Sequence, residues 1–446
     1  MKIALVIILC MACLPSLAAT NTAASCAYSD VTNALALCSN GDTLAIPSGD
    51  CVWTNSLSTT KAISIMGAGQ SNTIIRDQQT STSSKLIGIS GTHLNFIRVS
   101  SFTIEGGTNS YSSIQIGSTT TTNVCRIDHI TITNEVKRGI EMDGWSLGVI
   151  DNCTFLSHPS IGSPTGIDFH GLGNLNISEY GGATNSNPSW DTIPATWGDT
   201  NKCYVENCTF SWAASRAGAN GAVDAYNGAR FAFRNNYIVN VNVGAHGTDS
   251  GGTLRSTHSF ECYGNVFSNS IAVIPFSFRG GTGLFYSNTV YQSGGTAKNF
   301  IRIDNYRSSG TNIYGTETPC CQPYGPHTAT NVYAGKEIIG NGYPSYDQMG
   351  RTSPTIYTAT NAVQTLTPLY QWSNTFNGVI GLDFTNGSIH TNTGPYAYIP
   401  PSSELIVASR DYYDDTMKPG YTPLVYPHPL VTATTPEVYY APFRKP

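Results

Sequence analysis

The sequence predicts an all-β solenoid, a fold in which each short coil of strands stacks on the coil before it. The main observation is a motif that returns at intervals of roughly 20–30 residues, which is typical of such folds. It consists of a small or polar residue, Asn, a β-former and an apolar residue, as in RNNYI, YGNVF and YSNTV. Its Asn falls at Asn236, Asn265 and Asn288. Stacked Asn side chains can hydrogen-bond along the stack, so we expect an internal Asn ladder.

The same register extends in both directions along the chain. We interpret the interval from Cys153 to Cys208 as two coils and that from Asn288 to Asn374 as about three coils. The positions that share the ladder slot outside the three motifs above are Phe102, Ile130, Cys153, Cys208 and Asn374.

The composition supports a β-rich chain and excludes some partners. Of 446 residues only 11% are charged and 44 are Gly, whereas an average domain has about 25% charged residues. The net charge is −5, so we expect neither nucleic acid nor an anionic membrane as a partner.

The first residues indicate secretion. Residues 1–19 have a charged start, a short apolar run and a small-residue cleavage site, as a signal peptide does. The run is too short to span a bilayer, and a lipid anchor at Cys13 is the alternative. We therefore expect an extracellular or periplasmic protein, with one disulfide among Cys26, Cys38 and Cys51.

The remainder, 20–446, is predicted to be a single domain. The segment YSDVTNALALC at 28–38 has the apolar spacing of an amphipathic helix, and such a helix can cover the open end of a solenoid. The predicted parts are an N-terminal cap at 26–52, coils at 53–304, a loop excursion at 305–370, and last coils with an outward-packed tail at 371–446.

A second strand precedes each ladder motif, and its side chains alternate between the core and the outside. We interpret the interval from His170 to Tyr226 as two coils. The residues predicted to face inward are Ile140, Met142, Ile167, Phe169, Val223, Ala225, Ile301 and Ile303. The last outward residues of successive strands form one predicted column of Ile116, Asp143, His170, Tyr226, His246, Arg279 and Asp304.

Together, the signal peptide, the cap helix followed by GDTLAIPSGDC, the strands IDHITI and IDNCTF, and the Asn ladder resemble the pectate-lyase-like superfamily. The resemblance covers most of 26–304. It implies a right-handed parallel β-helix with an N-terminal capping helix and long loop excursions. The superfamily includes polysaccharide lyases, hydrolases and esterases as well as tailspikes and adhesins, so it does not fix the activity. GAHGTD at 244–249 matches only in part the Gly-His-Gly motif of the polygalacturonate hydrolases in this superfamily. The paired aspartates of those hydrolases have no counterpart in the coils.

Lyases of that superfamily hold calcium with outward acidic residues, which implies a calcium site here. The predicted ligands are Glu141, Asp143, Asp168 and Asp224, four outward carboxylates on one face. Calcium accepts several oxygen ligands, and it would neutralise a uronate carboxylate during β-elimination. The alternative is a solvated acidic face without a metal.

The predicted catalytic residues are Tyr226, His246 and Arg279. Tyr and His form a plausible acid–base pair for elimination. Arg279 is harder to use as a base, because its high pKa keeps the guanidinium protonated. In the alternative interpretation His246 only hydrogen-bonds a carboxylate and Tyr226 only stacks on a sugar. The predicted substrate-binding residues are His170, Arg302, Asp304 and Trp190.

We therefore expect a secreted protein that acts on an acidic polysaccharide, with a calcium-assisted lyase as the first hypothesis. A non-catalytic adhesive or structural β-helix is the second hypothesis. The third is a glycoside hydrolase, for which Asp168 and Asp224 would supply paired carboxylates.

Overall fold

The structure is a computed structural model that carries side chains. It describes residues 18–90, 96–107, 110–171, 190, 193–216, 221–247, 255–294, 300–303, 332–333, 336–337, 347, 349–358, 361–377, 379–380, 384–386 and 406–432. Outside these residues lie the predicted signal peptide, apart from its residues 18 and 19, and also Asp304, Cys320 and Cys321.

The strands wind into three parallel sheets that run the length of a β-helix. Sheet 1 contains Leu57–Thr59, Lys85–Ile89, the starts of Ser112–Glu135 and Arg138–Asp151, Thr165–His170, Gly221–Tyr226, Asn242–Ala245, Phe276–Phe278, Ile301–Ile303 and Phe384–Asn386. Sheet 2 contains Thr20–Thr22, Thr43–Ile46, Ser64–Gly67, the start of Phe96–Glu105, later parts of the two long strands, Cys203–Glu206, Arg230–Arg234, Ser259–Tyr263, Thr282–Tyr286, Leu369–Trp372 and Tyr412–Tyr413. Sheet 3 contains Gly49–Trp53, Thr73–Asp77, the ends of Phe96–Glu105 and Ser112–Glu135, Thr154–Ser157, Thr209–Ser211, Tyr237–Val239, Val266–Asn269, Thr289–Gln292 and Thr375–Phe376.

A few elements lie outside these sheets. Val379–Ile380 pairs antiparallel with the last strand of sheet 3. The remaining elements are the hairpins Val332–Tyr333 with Lys336–Glu337 and Arg351–Thr358 with Asn361–Leu366, the helices Tyr28–Leu37 and Pro429–Thr432, and the 3₁₀ turn Ala214–Arg216. The predicted fold class, a right-handed parallel β-helix, is confirmed.

The N-terminal cap is the predicted helix, Tyr28–Leu37, which buries Val31, Ala34 and Leu35. The predicted single disulfide joins Cys26 to Cys51, and Cys38 is a buried free thiol. The predicted bounds of the single domain and of its parts remain predictions.

The core fills the inside of the coils with side chains from all three sheets. The predicted inward residues of sheet 1 are confirmed, because all of them belong to the hydrophobic core inside the coils and each is at most 2% exposed. Stacking also continues from coil to coil, as in the parallel rings of Phe155 and Phe210, whose centroids are 4.7 Å apart.

The Asn ladder is confirmed, and the backbone explains the small or polar residue that precedes it. Asn235, Gly264 and Ser287 have φ between 52° and 66°, a left-handed conformation that Gly and Asn adopt most easily. Asn265 Nδ2 donates to Asn288 Oδ1 over 2.9 Å, and Asn288 Nδ2 donates to Asn374 Oδ1 over 3.0 Å.

Three predicted intervals are wrong in the same way. In each case the two residues lie on adjacent coils: Asn374 stacks on Asn288, Thr209 pairs with Thr154, and Tyr226 pairs with His170. Each interval is therefore one coil with an insertion, which spacing alone cannot distinguish from an additional coil. The column position predicted for Ile116 is also wrong, because Asp143 pairs with Gly117.

Residues 418–432 of the tail lie along the outer face of sheet 2, as predicted, whereas Tyr412–Tyr413, which was also predicted to pack outside, is the last strand of sheet 2. Arg234 donates to the carbonyl oxygens of Leu424 and Val425, and Arg126 donates to those of Leu430 and Val431. We call residues 418–432 the C-terminal strap. Among the described residues, no helix is both long and apolar enough to cross a membrane.

Candidate functional site

The candidate site lies on the outer face of sheet 1, where the parallel register stacks polar side chains in two columns. The first column contains Gln115, Glu141, Asp168 and Asp224. The second column contains Asp143, His170 and Tyr226, followed by His246 and Arg279 at the ends of the next two strands. Neighbouring strands lie about 4.8 Å apart, so the register brings these groups within reach of one another.

The second column contains an Asp–His–Tyr chain of contacts. His170 Nδ1 lies 2.8 Å from Asp143 Oδ1, and His170 Nε2 is hydrogen-bonded to the Tyr226 hydroxyl. Asp143 is itself held by Gln115, which donates to Asp143 Oδ2 over 2.5 Å. The His170 ring is thereby fixed on both sides.

The next coil continues this arrangement. The rings of Tyr226 and His246 have centroids 5.8 Å apart, and His246 Nε2 lies 2.8 Å from Asp224 Oδ1. Tyr226 therefore lies between two imidazoles, each of which faces a carboxylate.

A cluster of basic and aromatic side chains borders the first column. Arg138 forms an ion pair with Asp168, and its guanidinium lies 4.2 Å from the centre of the Tyr111 ring. Lys85 lies on the same ring at 5.1 Å and is 3.7 Å from Glu141 Oε2. The acidic column is thus largely neutralised by neighbouring cations.

Burial and charge set the protonation of the central pair. Burial alone would lower the pKa of His170, but the charges of Asp168 and Asp143 outweigh it and raise that pKa to about 10. His170 is therefore an imidazolium at neutral pH. Burial and the charge of Asp168 raise the pKa of Tyr226, so its phenol keeps its proton.

The structure does not bring the four predicted calcium ligands together as one cage. Asp168 binds Arg138 and His170, and Asp224 binds His246. Within the described residues the cluster with metal-ligand spacing is Glu141, Asp143 and His170, which includes a nitrogen ligand. Calcium prefers six to eight oxygens, so these residues do not fit it and no step below uses it.

The predicted substrate-binding residues have different outcomes. Arg302 lies on the outer face of sheet 1 and donates to Ser277 Oγ over 2.7 Å, and His170 lies in the second column. Arg279, which was predicted to be catalytic, is half-buried in the same column. The role predicted for Trp190 is wrong, because its side chain is fully buried and its indole donates to the Ser256 carbonyl. Asp304 lies outside the described residues.

A groove of about 450 Å³ runs beside the two columns. Its walls are two corners between sheets 3 and 1, 136–138 and 161–165, and its floor includes Asp168 and Asp224. A groove of this size can hold a few sugar rings.

Sequence reasoning missed Arg138, Lys85, Tyr111 and Gln115. Gln115 could have been found, because it occupies the alternation position of Glu141 one coil earlier. Arg138 lies where the chain turns into the strand, so the alternation rule does not show the direction of its side chain.

Comparison with known proteins finds structural likeness and no sequence family. No family model matches the sequence, and no curated protein sequence matches it. Similar solved structures include an alginate lyase from Paenibacillus sp., at 15% identity and TM-score 0.37, which covers 64% of this chain and 99% of that one. Pectin methylesterase PemA from Erwinia chrysanthemi is 11% identical, with TM-score 0.32 and coverage of 69% and 99%. The catalytic domain of a GH87 α-1,3-glucanase is 11% identical, with TM-score 0.32 and coverage of 79% and 65%. The strand registers described above, rather than these distant likenesses, establish the fold.

Proposed function

We propose that this protein is a secreted lyase that cleaves a uronate polysaccharide by β-elimination. The observation that carries the proposal is Tyr226, whose hydroxyl is hydrogen-bonded to the His170 imidazolium while its ring lies beside His246. Two candidate proton-transfer groups on neighbouring coils are what an elimination needs.

In the proposed reaction His246 removes the proton beside the uronate carboxylate. Its Nε2 faces Asp224, which orients the ring and stabilises the imidazolium that forms. The C–H electron pair forms the new C=C bond, and the bond from carbon to the glycosidic oxygen breaks.

Tyr226 then donates its proton to the departing oxygen. Its raised pKa keeps the phenol protonated until that step, and the His170 imidazolium stabilises the phenolate that remains. The proton taken by His246 is passed through water to Tyr226 before the next turnover. Arg279, the next member of the column, supplies positive charge for the uronate carboxylate.

Secretion forms part of the proposal. The Cys26–Cys51 disulfide supports it, because disulfides persist mainly in oxidising compartments.

The test is ultraviolet absorbance of unsaturated products on polygalacturonate, alginate and glycosaminoglycans, with calcium and with chelator. We expect absorbance to grow on one of these polymers and to persist in chelator. Loss of absorbance in chelator would restore the calcium prediction and contradict the metal-free steps above. New reducing ends without unsaturation would indicate a hydrolase, and binding without any product would indicate an adhesive β-helix.

A further inference from the structure

The corner from Asn134 to Arg138, where the chain passes from sheet 3 to sheet 1, separates two grooves. Residues 136–138 line the groove beside the site. Asn134 and His158 line a second groove of about 410 Å³ towards the N-terminus. Whatever holds this corner also sets the position of Arg138, the partner of Asp168.

Glu135 lies at the base of the corner with its carboxylate buried and 3% of the residue exposed. Its Oε1 accepts the Lys137 backbone N–H over 2.9 Å, and its Oε2 accepts the Ser113 hydroxyl over 3.4 Å. The first bond lies within the corner, and the second ties the corner to the preceding coil of sheet 1. The proposed reaction assigns Glu135 no role.

We propose that the Glu135 carboxylate is a positioning residue, which in its charged form holds the corner and thereby Arg138 against Asp168. This inference rests on the proposed function. The charged form accepts both hydrogen bonds with full strength. In the protonated acid one oxygen carries the hydrogen and acts as a donor, so one of the two accepted bonds is weakened.

The surroundings of Glu135 make this support depend on pH. Burial and, to a smaller extent, the charge of Asp77 outweigh the hydrogen bonds from Lys137 and Ser113 and raise the pKa of Glu135 to about 7. Other charged groups nearby point elsewhere: Lys137 Nζ donates to the Thr82 carbonyl, the His158 ring accepts backbone N–H groups of its own loop, and Glu105 pairs with Arg76. Asp77 is therefore the neighbour whose charge acts most directly on Glu135.

The experiment compares wild type with Glu135→Gln in the unsaturated-product assay between about pH 5 and 9. We expect wild-type kcat/KM to fall roughly tenfold per pH unit below a midpoint near that pKa. Glu135→Gln should have a low rate without this limb. Asp77→Asn should move the midpoint to lower pH, because it removes the charge that raises the pKa. Asp50→Asn, which removes an exposed carboxylate that pairs with Arg76 and does not bind the corner, should leave the profile unchanged.

Urea unfolding gives a readout that does not depend on activity. The folded-state pKa of Glu135 lies above the ordinary value of 4.5 because burial of the charged form costs free energy. Although the charged form holds the corner, the contribution of Glu135 to overall stability is therefore complete below pH 4.5 and is lost as the pH rises through about 7. Glu135→Gln should lack this slope.

Wild-type turnover with a parallel Glu135→Gln profile would overturn this inference alone. Absence of wild-type turnover on every substrate would overturn the proposed function and this inference with it, even if the unfolding slope were present.

Discussion

At the residue scale, the properties of the site depend on one buried imidazolium. His170 stays charged because carboxylates of both columns face it, at 2.8 Å from Asp143 and 3.1 Å from Asp168. Removal of its partners would leave a buried charge uncompensated, which is costly. The same charge holds the Tyr226 oxygen, so protonation and geometry in this site are coupled.

Stability should therefore depend on His170 at alkaline pH. Its folded-state pKa of about 10 lies above the ordinary 6.5, so its contribution is complete below pH 6.5 and is lost as the pH rises through about 10. We expect the wild type to lose more unfolding free energy than His170→Gln between pH 7 and 10, measured by urea unfolding. Equal losses in the two proteins would show that His170 is neutral in the folded state.

At the element scale, the ladder turns and the strap hold the coils in register. Asn265 accepts the backbone N–H of Asn236 through Oδ1 and donates through Nδ2 to Phe233 and Asn288. A buried amide with all these partners leaves several groups unsatisfied when it is removed.

Asn265→Ala should lower the unfolding free energy by about 1–3 kcal/mol. Thermal or urea unfolding measures this, with the exposed Asn55→Ala as the matched control that should change little. If both variants unfold like the wild type, the ladder is a consequence of the coil and does not stabilise it.

The strap depends on a buried ion pair. Arg234 and Glu206 are both 0% exposed, with Arg234 Nε 2.7 Å from Glu206 Oε2, and Arg234 also binds two strap carbonyls. Arg234→Ala leaves Glu206 buried without this partner, which should cost about 3–5 kcal/mol.

Detachment of the strap should appear as new cleavage within 421–432 in limited proteolysis of Arg234→Ala. The exposed Arg76→Ala, which also breaks an ion pair, is the control and should leave the strap protected. Protection of the strap in both variants would show that Arg234 does not hold it.

At the scale of the whole molecule, the fold could be predicted from the sequence because its information is local and repeated. Alternation identified the inward side chains from Ile140 to Ile303, and the left-handed turns explain the residue before each ladder Asn. The register between coils could not be predicted in this way, because the insertion between Asn288 and Asn374 leaves no periodic trace in the sequence. The site was predicted in part for the same reason: its column residues follow from alternation, whereas Arg138 and the burial of Trp190 depend on corners and loops.

The most direct test of the central claim, that Tyr226 transfers the proton to the leaving group, is the rate of unsaturated-product formation by Tyr226→Phe. Tyr237→Phe is the matched control, since Tyr237 is 45% exposed on sheet 3, away from the site. We expect Tyr226→Phe to lose roughly a hundredfold or more in kcat while folding and substrate binding persist, and Tyr237→Phe to match the wild type. A Tyr226→Phe enzyme that forms product at the wild-type rate would contradict the account.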